Sequence, residues 1–217
     1  MKRVLFLISV FALLYLPSSG GNALNAKIGK TLPAWSEGYL DIHFINSGRG
    51  ECCFYILPDG TTLLVDAGEI AKGKIGVAQR PNGQTLPTIT YAKYIKNFLP
   101  TGKTDIDYCS PSHFHTDHIG STKMVSGKSP AGYRKSGLLA LYDYVPYKHI
   151  LDRAYPTYTE DDVTPKMEGQ LSKDWATFVT WGVKEGKFTA ARFTPGKEQI
   201  VLLNRAKKYK NFSVFNI

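Results

Sequence analysis

The segment LDIHFINSGRGECCFYILPDGTTLLVDAGE, Leu40 to Glu69, restricts the fold more than any other part of the chain. It holds three short apolar runs in succession. In the first, Leu40, Ile42 and Phe44 alternate with Asp41, His43 and Ile45, the two-residue period of a half-buried strand. Ser-Gly-Arg-Gly-Glu interrupts it, with Gly48 and Gly50 free to take positive φ. CCFYIL and TTLLVDA then flank Pro-Asp-Gly, a hairpin signal. The segment predicts a meander of three strands.

Helical and strand patterns alternate after it. The polar stretch from Gly68 to Gly83 reads as a loop. TITYAKYIKNFLP places Ile89, Ala92, Ile95 and Leu99 at helical spacing and ends at Pro100. DIDYCSPS reads as a short strand, and YKHILDRAYP as another. LSKDWATFVTWGVKEG predicts an amphipathic helix with Trp175, Phe178, Val179 and Val183 inward. FTAARF and EQIVLLN read as two late strands, and the RAKKYK run at Arg205 to Lys210 as a loop. Strands first, then helix–strand alternation, predict an α/β (α+β layered) fold. At 217 residues and 43% apolar, the chain is long enough and apolar enough for one packed domain.

The first residues are read separately. Met1-Lys2-Arg3 precedes thirteen uncharged residues, Val4 to Leu16, and then small residues around Gly21 and Ala23. This is the pattern of a secretory signal peptide, residues 1–23, followed by a domain over 24–217. Thirteen apolar residues fall short of the ~20 that span a bilayer, so no stable membrane span is expected after cleavage. A secreted or periplasmic location follows. Loss of Lys2 and Arg3, two of 27 basic residues against 18 acidic ones, lowers the formal charge from +9 to +7. A basic domain suits anionic partners: phosphoesters, cell-surface polymers or nucleic acid. Cys52, Cys53 and Cys109 show no zinc or redox spacing and read as free thiols, the first two facing opposite ways along a strand.

SHFHTDHIGS, Ser112 to Ser121, carries three of the five histidines directly after an apolar strand. His113, His115, Asp117 and His118 are four potential metal ligands within six positions. Zinc and similar metals take neutral imidazole nitrogens and carboxylate oxygens. On an extended loop His113, His115 and Asp117 project to one side, and His118 points elsewhere, toward a second metal. Two neighbouring metals can share a hydroxide nucleophile, which Asp117 would orient as the catalytic residue. Gly120 is expected where a helix starts.

These residues resemble those of a known family. SHFHTDH is similar to the HxHxDH signature of the metallo-β-lactamase superfamily, and LLVDAGE to its upstream strand ending in an Asp, here Asp66. HFINSGRGECCFYILPDG resembles the hairpin of the branch with the hydrolase domain of competence-type DNA uptake proteins and secreted phosphorylcholine esterases. The resemblance implies a four-layer αββα sandwich with zinc at two sites, or manganese or iron. His113 and His115 would bind the first metal, Asp117 and His118 the second. Asp66 would hold the ligand loop from below. The implied function is that of a secreted, phosphodiesterase-like hydrolase using a metal-bound hydroxide.

Departures from the family pattern define the alternative. Arg49 and Glu51 stand where the branch has Gln and Asp. After His118 only His149 remains, and it reads as a structural or surface residue. Phe193 stands in RFTPGKE where a family ligand loop would carry His. NFSVFNI ends the chain on a strand-like run, so the sequence resembles the N-terminal portion of such a domain, incomplete at the C-terminus. The alternative is a truncated, non-catalytic metal-binding or surface-interaction protein.

Overall fold

The structure is a computed structural model that describes residues 28–70, 78–158 and 169–217. The signal-peptide pattern lies outside the described residues. Residues Met1–Pro33 form one unit and Ala34–Ile217 a second, which holds every helix and strand described below.

The three-strand meander forms, but around its first strand the apolar residues Leu40, Ile42 and Phe44 are the exposed ones, and His43 and Ile45 are buried. Strands β1 (Asp41–Phe44), β2 (Cys53–Ile56) and β3 (Thr62–Val65) pair antiparallel, with Ile42 opposite Tyr55 and Phe54 opposite Leu64. Pro58-Asp59-Gly60 closes the β2–β3 hairpin, where Leu57 N–H donates to Thr61 O at 2.8 Å. Helix α1 (Pro87–Phe98) then leads to β4 (Ile106–Ser110), which lies parallel to β3. A single helical turn, α2 (Thr116–Ile119), a ribbon of β5 (Gly127–Lys128) and β6 (Arg134–Lys135), and helix α3 (Gly137–Leu141) follow. Strand β7 (Tyr147–Asp152) is parallel to β4, and helix α4 (Gly169–Lys184) leads to β8 (Thr189–Arg192), parallel to β7. The six-stranded sheet has the order β1-β2-β3-β4-β7-β8. The chain is thus mixed α/β, with an antiparallel start and a parallel remainder.

The strand alternation divides the core between two faces. Phe54, Leu64, Cys109 and Ile150 pack with α1, α3 and α4 through Tyr91, Ile95, Leu138, Trp175 and Phe178. Leu63, Tyr108 and Leu151 point the other way and meet Leu57, Ile200, Phe193, Phe212 and Val214. Cys52 and Cys109 are buried, Cys53 is half-buried, and all three thiols are free. No helix among the described residues is long and apolar enough to cross a membrane.

Three expectations need correction. Helix α1 buries Thr88, Tyr91, Ala92, Ile95 and Phe98, while Ile89 and Leu99 are only half-buried. The aromatic rings outweigh the aliphatic stripe because they offer more apolar area, and because the Tyr91 hydroxyl finds Ser47 Oγ at 2.7 Å and Gly68 O at 3.0 Å. EQIVLLN and NFSVFNI form no ladder; one bridge joins Ile200 to Val214. The last amide donors of EQIVLLN, and that of Arg205, go to side chains of the β2–β3 hairpin instead. Leu203 N–H donates to Thr61 Oγ1, and Asn204 and Arg205 N–H donate to Asp59 Oδ2, all at 2.8–2.9 Å. RAKKYK includes a short 3₁₀ turn, Ala206–Tyr209, rather than an open loop.

Helix α4 follows its pattern, with Trp175, Phe178 and Val179 fully buried and Val183 packed at the margin. Trp175 Nε1–H donates to Asp152 Oδ2 at 2.7 Å. The same oxygen accepts from the Tyr158 hydroxyl at 2.7 Å, and Oδ1 accepts from the backbone of Ala154 and Tyr155. Asp152 is fully buried, so each donor matters. Trp175→Phe removes one donor from a buried carboxylate and is expected to cost about 1–3 kcal/mol. Trp175→Ala adds a cavity and is expected to cost about 3–5 kcal/mol, both read by urea unfolding.

Candidate metal centre

Strands β3 and β4 run parallel, so their carboxyl ends open at the same edge of the sheet. Crevices outside such ends are where α/β sheets collect functional loops. Asp66 follows β3 and the Ser112–His118 segment follows β4, which brings together residues 46 to 52 positions apart.

Asp66 is the hub. Its Oδ1 accepts from Ser112 N–H at 2.7 Å, and its Oδ2 from Ser112 Oγ–H at 2.7 Å and His118 Nδ1 at 2.8 Å. It holds this position with φ +63°, the left-handed region that Asp tolerates better than most residues. Backbone bonds fix the rest of the loop. Ala67 N–H donates to His118 O, Glu69 N–H to Thr116 O and Glu51 N–H to Asp117 O, all within 2.7–2.8 Å. Gly68 N–H donates to Glu51 O and Ile70 N–H to Arg49 O, each at 2.9 Å. The turn that departs from the family pattern at Arg49 and Glu51 therefore acts here through its main chain.

Glycine is required where these strands of chain meet. A Cβ on Gly68 would lie 1.7 Å from Asp117 O. Below the loop Glu69 is buried, its Oε1 accepting from Thr88 N–H at 2.9 Å and from Thr88 Oγ1–H. Burial pushes its carboxyl above the usual range, against the pull of the Thr88 bonds.

The four ligand-type residues gather, but not as simple alternation predicts. His115 is extended at φ −94° and ψ 164°, and the chain then turns helical through α2. His118 does not point away: its ring centre lies 3.8 Å from that of His113. His113 Nε2 is 3.0 Å from His115 Nδ1, and His118 Nε2 is 3.6 Å from Asp117 Oδ2. Gly120 ends α2 rather than starting a helix, at φ 141° against Ser136.

The network also fixes protons. With the Asp66 carboxylate accepting, His118 Nδ1–H is the donor of that bond, and Nε2 is the nitrogen that faces Asp117. Ser112 Oγ lies 3.1 Å from His113 Nδ1 and, with its own proton given to Asp66, accepts there; His113 Nε2 then accepts from His115 Nδ1–H at 3.0 Å. Burial, then His118 and His115, holds His113 below the usual imidazole range. The Ser112 hydroxyl behind His113 and the Asp66 carboxylate behind His118 match the outer-shell arrangement that orients metal-binding histidines.

This donor set suits zinc, manganese or iron. Two ligands bonded at ~2.0–2.2 Å to one tetrahedral ion lie roughly 3.3–3.6 Å apart. The pairs His113–His115 and His118–Asp117, at 3.0 and 3.6 Å, are close to that spacing. Among the described residues no three His, Cys, Asp or Glu groups surround one common point. The donors thus fit as two pairs, with the imidazoles bonded to each other where an ion would stand.

The other histidines serve elsewhere. His149 on β7 bonds Thr189 Oγ1 at 2.7 Å and stacks on Tyr108. His43 on β1 lies 3.1 Å from the Tyr94 hydroxyl. Phe193 packs on the second sheet face. Sequence reasoning assigns no role to Ser112, whose hydroxyl links Asp66, His113 and His118; its place directly before the ligand run is the one signal that points to it.

No protein-family model matches the chain, and a search of curated proteins finds no match.

Proposed function

We propose that this chain is a secreted or periplasmic metal-dependent hydrolase with phosphodiesterase-like preference, on a fold of the metallo-β-lactamase type. The observation that carries the reading is the joining of Asp66, Ser112, His113 and His118 into one hydrogen-bonded unit that sets the Nε2 atoms of His113 and His118 beside His115 and Asp117. The αββα sandwich is the finer fold reading. It is supported by apolar side chains on both faces of the sheet, including exposed Ile42 and Phe44 on β1.

In this reading His113 and His115 hold one metal, and His118 and Asp117 a second. Bound metal supplies Lewis-acid stabilisation of the developing oxyanion and an activated water. Asp117, more than two-fifths exposed at its side chain, faces solvent where a substrate would arrive and is the residue assigned to orient the nucleophile. Asp66 and Ser112 keep the imidazole tautomers. The formal charge, +9 for the full chain and +7 without Lys2 and Arg3, favours anionic phosphoester or cell-surface substrates, nucleic acid included.

The purified protein is expected to hold one to two equivalents of zinc or manganese. It should also turn over bis-p-nitrophenyl phosphate, with turnover lost on chelation and restored by metal. Less than one metal per chain and no chelator-sensitive turnover would defeat the proposal. A second reading, a non-catalytic metal-binding protein, is favoured by the use of His43 and His149 outside the cluster, which leaves four ligand groups for two ions. Stoichiometric metal with no turnover would select it.

A further inference from the structure

A second cavity lies along the outer face of α1, away from the histidines. Its volume is about 760 Å³, within the usual range for small-molecule sites. Tyr94 and Phe98 form its apolar floor, with ring centres 4.7 Å apart, and the Tyr94 hydroxyl is held by His43. Arg80 and Lys93 supply two positive charges on its walls, and no Asp or Glu lines it among the described residues. Neither cation is in an ion pair with a described residue.

The amides tilt the same way. Asn46 Oδ1 accepts from Gly48 N–H at 2.9 Å. Asn82 Oδ1 accepts from Gln84 N–H, Thr85 N–H and Thr85 Oγ1–H at 2.9–3.0 Å. Local turns thus consume the carbonyl oxygens of these two asparagines and leave their Nδ2–H donors for a ligand; a third, Asn97, also lines the cavity. The walls offer cations and amide donors, over an aromatic floor.

We propose that this cavity binds an organic phosphate or phosphonate with a flat apolar body, the anion on Arg80, Lys93 and the Asn46 and Asn82 amides, the body on Tyr94 and Phe98. A neutral head would forgo the charge-assisted bonds that Arg80 and Lys93 offer an anion. Inorganic phosphate lacks the body that the floor would desolvate. The site is independent of the metal reading, because none of its residues belongs to the histidine cluster.

The test is calorimetric titration of the chelator-treated full chain with phenylphosphonate, inorganic phosphate and benzyl alcohol. Phenylphosphonate is expected to saturate one site and bind at least about tenfold more tightly than either fragment. Arg80→Ala/Lys93→Ala, two exposed substitutions, is expected to weaken it by about tenfold or more. His113→Ala/His118→Ala is expected to leave it unchanged. Equal binding of phenylphosphonate and phosphate, no effect of the cation pair, or loss in the histidine variant would each overturn the proposal.

Discussion

Asp66→Asn is expected to lower zinc affinity by roughly 10- to 100-fold while leaving the fold intact, the range seen when an outer-shell partner of a metal ligand is replaced. The asparagine Oδ1 can still accept from Ser112 N–H. Its Nδ2 is a donor and cannot accept the proton of His118 Nδ1, which the carboxylate does at 2.8 Å. His118 must then move its proton to Nε2, the nitrogen that faces Asp117 at 3.6 Å, and the lone pair needed for a metal is gone. Loss of charge-assisted bonds should cost about 1–3 kcal/mol of stability as well. Nitrogen NMR of the imidazoles reads the tautomer directly, and a competition titration with a zinc dye reads the affinity. Unchanged affinity with the Nδ1–H tautomer retained would show that Asp66 does not act through His118.

A large effect on stability is expected at Gly68. A Cβ there stands 1.7 Å from Asp117 O and 1.9 Å from Asp117 C, both backbone atoms, so no rotamer change relieves the clash. The α2 turn must move away, which breaks the Glu51–Asp117, Ala67–His118 and Glu69–Thr116 bonds together. Gly68→Ala is therefore expected to cost about 3–5 kcal/mol, among the larger values for one substitution. At 2–4 °C per kcal/mol for a domain of this size, Tm should fall by roughly 10 °C. Gly83→Ala, which meets nothing within 4 Å, is the control and should stay within about 0.5 kcal/mol. If the two alanine variants melt together, the close approach of the 66–70 and 116–118 segments is wrong.

Much of the fold is legible in short windows of sequence. The meander from Leu40 to Val65, the helix at Pro87–Phe98 and the helix at Gly169–Lys184 follow from period-two and period-3.6 patterns, although around β1 the apolar side, Leu40, Ile42 and Phe44, is the exposed one. The reading fails where another element sets the outcome. EQIVLLN has the composition of a strand, yet its amides are claimed by Asp59 and Thr61 more than 130 residues earlier. Ile89 and Leu99 have the helical spacing, yet Tyr91 and Phe98 take the buried face.

The site divides in the same way. The sequence by itself determined which groups are available: three imidazoles and a carboxylate in six positions after β4, and an aspartate after β3. A local run of residues cannot avoid sharing one loop, so that much needs no tertiary information. Only the tertiary structure decided their arrangement. Parallel pairing of β3 with β4 carries Asp66 under a loop 46 residues away, and Gly68 lets the two backbones touch. The turn at Thr116 brings His118 back over His113 instead of away from it. Those contacts depend on strand order and on the absence of a Cβ, neither of which the spacing of histidines encodes.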